Sequence, residues 1–294
     1  MFTDILGNPR QKVGLHVHTT KSDGRKTPEE ALALFCEAGY DAVALTDHWN
    51  WNPGGKFGEM TVLSGEEVDC RTNDGAGFAH GAGVYHITAI GCTEEPQVSD
   101  YTNPRFLVDA IHKAGGLAVL AHPAWSLNAP SVVAEQNFYD ATEIYNSVSG
   151  VHASCRPDSS AFVDLLACRG VFFPLIAADD CHYYDNDVTV SWVCAQAADN
   201  SPEAVLTALR QGNFYATQGP EIHFERQGDK LIVRCTEASE VFFHSNVVWV
   251  GDRAVRGEKI TYAEYPIHQN DRFVRAEVVD AQGRHAWSNF IRIC

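Results

Sequence analysis

The sequence predicts an α/β protein built from βα units around a mostly parallel sheet, followed by a smaller β-rich domain. From Val13 to FYATQGP, short apolar runs alternate with amphipathic, capped stretches. Beyond that point, short strand-like runs are separated by turn residues, with no helical period between them. The chain has 294 residues, 45 % apolar and 20 % charged, enough to bury a core and too apolar to stay disordered.

In chain order, VGLHVH alternates and reads as the first strand. TPEEALALFCEAGY is a helix: Thr27 is its N-cap, Pro28 its first helical residue, Glu30 completes a capping box and Gly39 lies just past the end. DAVALTDH, TVLSGEE, HITAIGC, GLAVLAHP, ATEIYN and FFPLIAADDCH are strand candidates, each ending in a polar cluster. NPRFLVDAIHKAGG and SPEAVLTALRQG repeat the capped-helix pattern, with Asn103 then Pro104 and Ser201 then Pro202 at their starts. A boundary near Gly219 and Pro220 divides the chain into 1–220 and 221–294. In the second part EIHFER, KLIVRC, EVFFHS, VVWVG, FVRAEVVD and NFIRIC predict a small β-sandwich that packs on the first domain or mediates homo-oligomer formation.

The formal charge is −16, from 22 basic and 38 acidic residues, which argues against a stable nucleic-acid binder and against docking on an anionic membrane. The acidity belongs to 1–220, with 12 basic and 27 acidic residues. Nine scattered cysteines without a C-x-x-C read as reduced thiols. The start, MFTDILGNPRQK, has no apolar signal core, and no apolar run approaches a membrane span, so the expected location is cytoplasmic.

Histidines beside carboxylates at strand ends carry the chemistry. His16 and His18 lie two apart on a strand, so both imidazoles share a face and suit one ion. Asp23 follows in a Ser22-Asp23-Gly24 turn. Asp47-His48, Glu66, His86, His122 and Asp180-x-His182 sit at the ends of later strand candidates. In an assembly of βα units those ends converge on one face, which would gather six His and three carboxylates into one basin. No G-x-S-x-G, P-loop or G-x-G-x-x-G is present, which weakens acyl-serine, NTPase and dinucleotide readings.

The blocks HVHTTKSDG, LTDHW, SGEE, YHITAIG, LAHP and ADDCH resemble, in order and spacing, the motifs of the PHP (polymerase and histidinol phosphatase) family of metal-dependent phosphoesterases. The resemblance covers residues 13–220. Within the family, TEIYN, GNFYATQGP and GRHAWSNFIRI resemble the CehA/McbA-like metallohydrolases. This implies a distorted (β/α)7 TIM-like barrel with a two- or three-metal centre of manganese, iron or zinc. By the resemblance His16, His18, Glu66 and Asp180 would hold one metal. Glu66 would bridge to a second held by His86 and His122, and Asp23, His48 and His182 would hold a third. The implied activity is hydrolysis of small organic phosphate monoesters by a water activated between metals, with Asp180 as proton shuttle. A phosphodiesterase or nucleotide hydrolase and an amide or carbamate hydrolase are the alternatives, with a non-catalytic metal-binding module behind them.

Strand alternation points Glu67 away from Glu66, and Asp179 away from Asp180, giving both structural roles. The same alternation buries Cys181. Asp47 suits either orienting His48 or capping the strand end. Lys21, Arg25 and Arg156 are candidate anion clamps, and Arg156, on the loop after TEIYN, is the preferred phosphate contact. Trp49, Trp51 and Trp125 suit either a pocket wall or core packing. His80, His112, His152, His223, His244, His268 and His285 match no block and read as surface or core residues.

Overall fold

The computed structural model describes residues 1–70 and 84–293. Three of its five α-helices among the described residues form as the sequence predicts. Pro28–Glu37 starts at Thr27 with the complete capping box; Pro104–Lys113 starts at Asn103, whose side chain accepts from Arg105 N; and Pro202–Arg210 starts at Ser201, whose side chain accepts from Ala204 N. Pro130–Gln136 and Ser160–Cys168 are the other two.

The strands form two sheets. In the larger one Pro9–Gly14, Ala42–Ala44 and Met60–Leu63 lie parallel side by side. Trp192–Ala195 then runs antiparallel to Pro9–Gly14, followed outward by Phe214–Thr217. The smaller sheet places Leu117–Leu120, Ala141–Asn146 and Leu175–Ala178 in parallel. His86–Ile90 runs antiparallel to both Leu117–Leu120 and Gly65–Asp69. The architecture is therefore mixed α/β with a large sheet and few helices. The expected distorted (β/α)7 barrel is not shown: the described residues hold five α-helices, and antiparallel neighbours interrupt the parallel order.

The two sheets meet at the strand ends that the histidines occupy. Val17 bridges Cys181 and His48 bridges Glu67, both in parallel sense. Asp180 N donates to His16 O at 2.9 Å and His18 N to Cys181 O at 3.1 Å. The regular strand stops at Gly14, earlier than VGLHVH suggests; beyond it Val17 stays bonded to Thr46 beside its own sheet, while His16 and His18 bond residues 180 and 181 of the other. Apolar side chains pack behind this seam, including Val13, Leu15, Ala44, Leu63, Ile90 and Val119.

The chain beyond Gly219 and Pro220 continues the larger sheet, since His285–Trp287 pairs with Phe214–Thr217. Its strands are Ile222–Gln227, Lys230–Ser245, Ala254–Pro266, Phe273–Val279, His285–Trp287 and Ile291–Arg292. KLIVRC and EVFFHS merge into one 16-residue strand. VVWVG leaves the sheet instead, and Trp249 is 94 % exposed. Arg275, fully buried, clamps this part to the helix Ser160–Cys168 through a two-pronged contact with Asp164, at 2.7 and 2.8 Å. No helix among the described residues is long and apolar enough to cross a membrane.

Candidate metal centre

The seam gathers eight of the nine expected ligands, and five of them, all histidines, surround Glu67. In Gly65–Asp69 the side chains alternate: Val68 shares a face with Glu66 and packs into the apolar core, whereas Glu67 shares a face with Asp69 and points at the histidines. Glu66 is therefore not in the cluster. It is buried away from it, beside Glu95 and Cys92, and burial first, then Glu95, pushes its carboxyl up to about 7. The phase was legible in SGEEVDC, because the apolar Val68 and Cys70 mark the core face that Glu66 shares.

Glu67 Oε2 lies 3.2 Å from His16 Nε2, 3.1 Å from His18 Nε2 and 3.3 Å from His48 Nδ1. Its other oxygen, Oε1, lies 2.9 Å from His86 Nδ1 and 3.3 Å from His122 Nε2. Asp180 Oδ1 lies 3.2 Å from His16 Nε2 and 3.1 Å from His18 Nε2. Three donor groups emerge: His16, His18, Glu67 and Asp180, entirely buried; His48, Glu67 and His86; and the more open His18, Asp23, His48 and His182. In the last, Asp23 Oδ1 is 3.4 Å from His182 Nε2 and Asp23 Oδ2 3.9 Å from His48 Nε2.

This set fits divalent cations. Donors held at about 2.0–2.1 Å from a tetrahedral ion stand about 3.3 Å apart, close to the His16–His18–Glu67–Asp180 spacing. Asp180 Oδ1 is buried and makes no hydrogen bond, although two imidazole nitrogens stand within 3.2 Å of it. A buried carboxylate oxygen left so requires an explanation, and a shared cation supplies one.

Supporting contacts fix which nitrogen each ring presents. His16 Nδ1 bonds Glu143 Oε1 at 2.7 Å, His122 Nδ1 bonds Ser126 Oγ at 2.8 Å, and His182 Nδ1 bonds the Asp180 carbonyl at 2.7 Å. Asn146 Nδ2 donates to Glu143 Oε2 at 2.7 Å and to Asp180 Oδ2 at 3.0 Å, so one amide positions both carboxylates. Glu143 and Asn146 escaped the sequence reading; a glutamate inside the apolar strand ATEIYN was the available signal. Asp47 does not touch His48. It accepts from Thr19 N at 2.6 Å and Ser22 Oγ at 2.9 Å, capping the loop that carries Asp23. Asp179 accepts three backbone N–H bonds from Thr189, Val190 and Ser191, and Cys181 packs in the core. His122 and Asp180 hold φ of 29° and 53°, a left-handed backbone that costs energy in non-glycine residues and recurs at functional sites.

The charges interlock. Burial opposes protonation of His16, but Asp180, Glu67 and Glu143 outweigh it and raise its pKa well above the usual value. His18 and His86 are raised by the same balance. His182, held by Asp23 and Asp180 against burial, reaches about 9. His48 is lowered, because there burial prevails over the pull of Glu67. Despite burial, the histidines hold Glu67 and Asp180 well below the carboxylate range. The carboxylates thus draw positive charge into the centre, a demand that protons or metal ions meet interchangeably.

Above the donors opens a cavity of about 250 Å³, walled by Trp125, Val148, Ser149, Ser154 and Tyr183. Of the three tryptophans, only Trp125 lines it; Trp49 packs on Tyr101 at 4.9 Å and its Nε1 donates to Asp69. Arg156 is exposed and does not line the cavity. Arg25 stacks over Tyr183 at 4.6 Å, at the rim. Among the unmatched histidines, His244 and His285 bond Glu277, His112 bonds Asp140 and His152 bonds Asp185; His80 lies outside the described residues.

No family model matches the chain, and no curated protein matches it. Among solved structures, it is similar to a two-domain protein from Bacteroides vulgatus that contains a predicted PHP-like metal-dependent phosphoesterase. Their sequences are 13 % identical, the match covers 100 % of this chain and 97 % of the other, and the TM-score is 0.53. It is also similar, over 60 % of its length and 89 % of the other chain, to an amidohydrolase from Chromobacterium violaceum with bound sulfate and no metal, at 17 % identity and a TM-score of 0.40. The first likeness establishes a shared fold over both parts of the chain.

Proposed function

We propose that this protein is a metal-dependent hydrolase of the PHP type that cleaves small organic phosphate monoesters. The observation that carries the reading is Glu67, whose two carboxylate oxygens are divided between His16 and His18 on one side and His86 and His122 on the other. A shared carboxylate between imidazole groups is what two closely spaced dications need. When bound, such ions lower the pKa of water and neutralise the oxygens of a phosphoryl group.

The chain's own residues do the rest. His16, His18, Glu67 and Asp180 would hold one ion, His86 and His122 would join Glu67 at a second, and Asp23, His48 and His182 would hold a third. Asn146 steadies Asp180 through Oδ2, leaving Oδ1 facing the centre as its ligand atom. The cavity's size suits a small substrate. Because 1–220 is strongly acidic, attraction for a dianion is local, supplied at the centre and by Arg25 at its rim.

One observation favours a second reading, an amide or carbamate hydrolase: no Lys or Arg lines the cavity among the described residues, so a neutral substrate is accommodated as well. A phosphate-release and carbamate panel with metal-supplemented protein separates the two. The first reading predicts the highest kcat/KM for monoesters and competitive inhibition by inorganic phosphate. A diester or carbamate turned over faster than every monoester, without phosphate inhibition, contradicts it.

A further inference from the structure

Trp125, 40 % exposed, stands on the cavity wall beside the donor groups. It follows His122 on the turn after Leu117–Leu120, and its ring meets His122 edge-on at 5.0 Å and His86 at 6.1 Å. Its Nε1 donates to Ser154 Oγ at 3.2 Å, which pins the indole across the loop after Ala141–Asn146. The ring is thus held in place directly beside the donor groups. Tyr183, on the loop after Leu175–Ala178, also lines the cavity and is held between Arg25 at 4.6 Å and His152 at 3.9 Å.

The two serine hydroxyls on this wall each make one hydrogen bond. Ser149 Oγ donates to Asn146 Oδ1 at 2.7 Å, and Ser154 Oγ accepts from Trp125. On this wall a sugar or polyol would find two serine hydroxyls, whereas an aromatic substrate would find two aromatic rings. A second anionic group on the substrate would find no cation lining the cavity among the described residues. Flat, uncharged, apolar surface is what the wall complements.

Resting on the phosphomonoester reading above, we infer that the organic half of the substrate is an uncharged aromatic ring, and that Trp125 is the residue that selects it by packing against its face.

Equilibrium binding to the manganese-loaded protein tests this without turnover, using phenylphosphonate, cyclohexylphosphonate and methylphosphonate as probes that share one headgroup. The expected result is phenylphosphonate bound about tenfold more tightly than methylphosphonate, with cyclohexylphosphonate between them. Trp125→Ala brings the three affinities together, and Trp125→Phe restores most of the preference for the phenyl probe. Equal binding of all three by the wild type, or a preference that survives in Trp125→Ala, overturns the inference while the phosphate reading stands. Failure to bind any of the three overturns the phosphate reading and this one with it.

Discussion

Glu143 Oε1 stands 2.7 Å from His16 Nδ1, both side chains being buried. The contact commits His16 to presenting Nε2 to the centre, and it comes from a neighbouring strand of the other sheet. Glu143 therefore acts on the metal through His16 without touching it. Removing such a partner typically weakens metal affinity 10–100-fold. Glu143→Gln should show a loss of that order in chelator competition, with activity recovered at high metal concentration. Unchanged affinity would remove Glu143 from the account.

Glu66 and Glu67 provide a sharper pair, because they are neighbours of identical chemistry facing opposite ways. Glu67→Gln should strip the centre of metal and abolish turnover while the far-ultraviolet circular dichroism stays that of the wild type. Glu66→Gln should keep both metal and activity. The reverse pattern would mean that the strand Gly65–Asp69 sits in the other register.

The same pair marks how much the sequence disclosed. Eight of the expected ligands come together where the strand-end argument put them, since carboxylates and imidazoles in alternating strands can be phased by their apolar neighbours. At Asp180 the phase was read rightly, with Cys181 on the buried face. At Glu66 two adjacent glutamates hid it, although Val68 held the answer. The capped helices were legible because Thr27, Asn103 and Ser201 act locally. The sheet order was not, because pairings such as Ala216 with Trp287 depend on residues far apart in the chain. Glu143 and Asn146 stayed hidden for the same reason: their partners come from other strands.

The donor groups differ in exposure, and their metals should leave in order. Asp23 has a side chain 57 % exposed, whereas those of His16 and His18 are fully buried. Solvent competes for the open group, so its ion is the most weakly held. Asp23→Asn should lower metal content by about one equivalent and leave the rest, as read by elemental analysis. Loss of all metal from this variant would show that the groups do not fill independently.

Arg275 and Glu277 predict how the C-terminal strands are anchored. Arg275→Ala removes the buried partner of Asp164 and Glu277 and should cost about 3 kcal/mol in denaturant unfolding, whereas Arg275→Met, which fills the space, should cost less. Burial raises the carboxyl of Glu277, but His244, His285 and Arg275 outweigh it and hold it well below its ordinary value. His285 is raised by that same contact against burial. Stability from Glu277 is full above the unfolded pKa of 4.5 and fades as pH falls toward the folded value. Stability from His285 is full below the unfolded value of 6.5 and fades as pH rises through the raised folded one. The difference in unfolding free energy between wild type and Glu277→Gln should therefore peak between pH 4.5 and 6.5. A difference flat across pH 3–9 would show that the pair carries no net stability.

The central claim, a polynuclear centre organised by Glu67, is tested most directly by elemental analysis of the purified protein after expression in metal-supplemented medium. At least two transition-metal equivalents per chain are expected in the wild type; fewer than one equivalent would contradict such a centre.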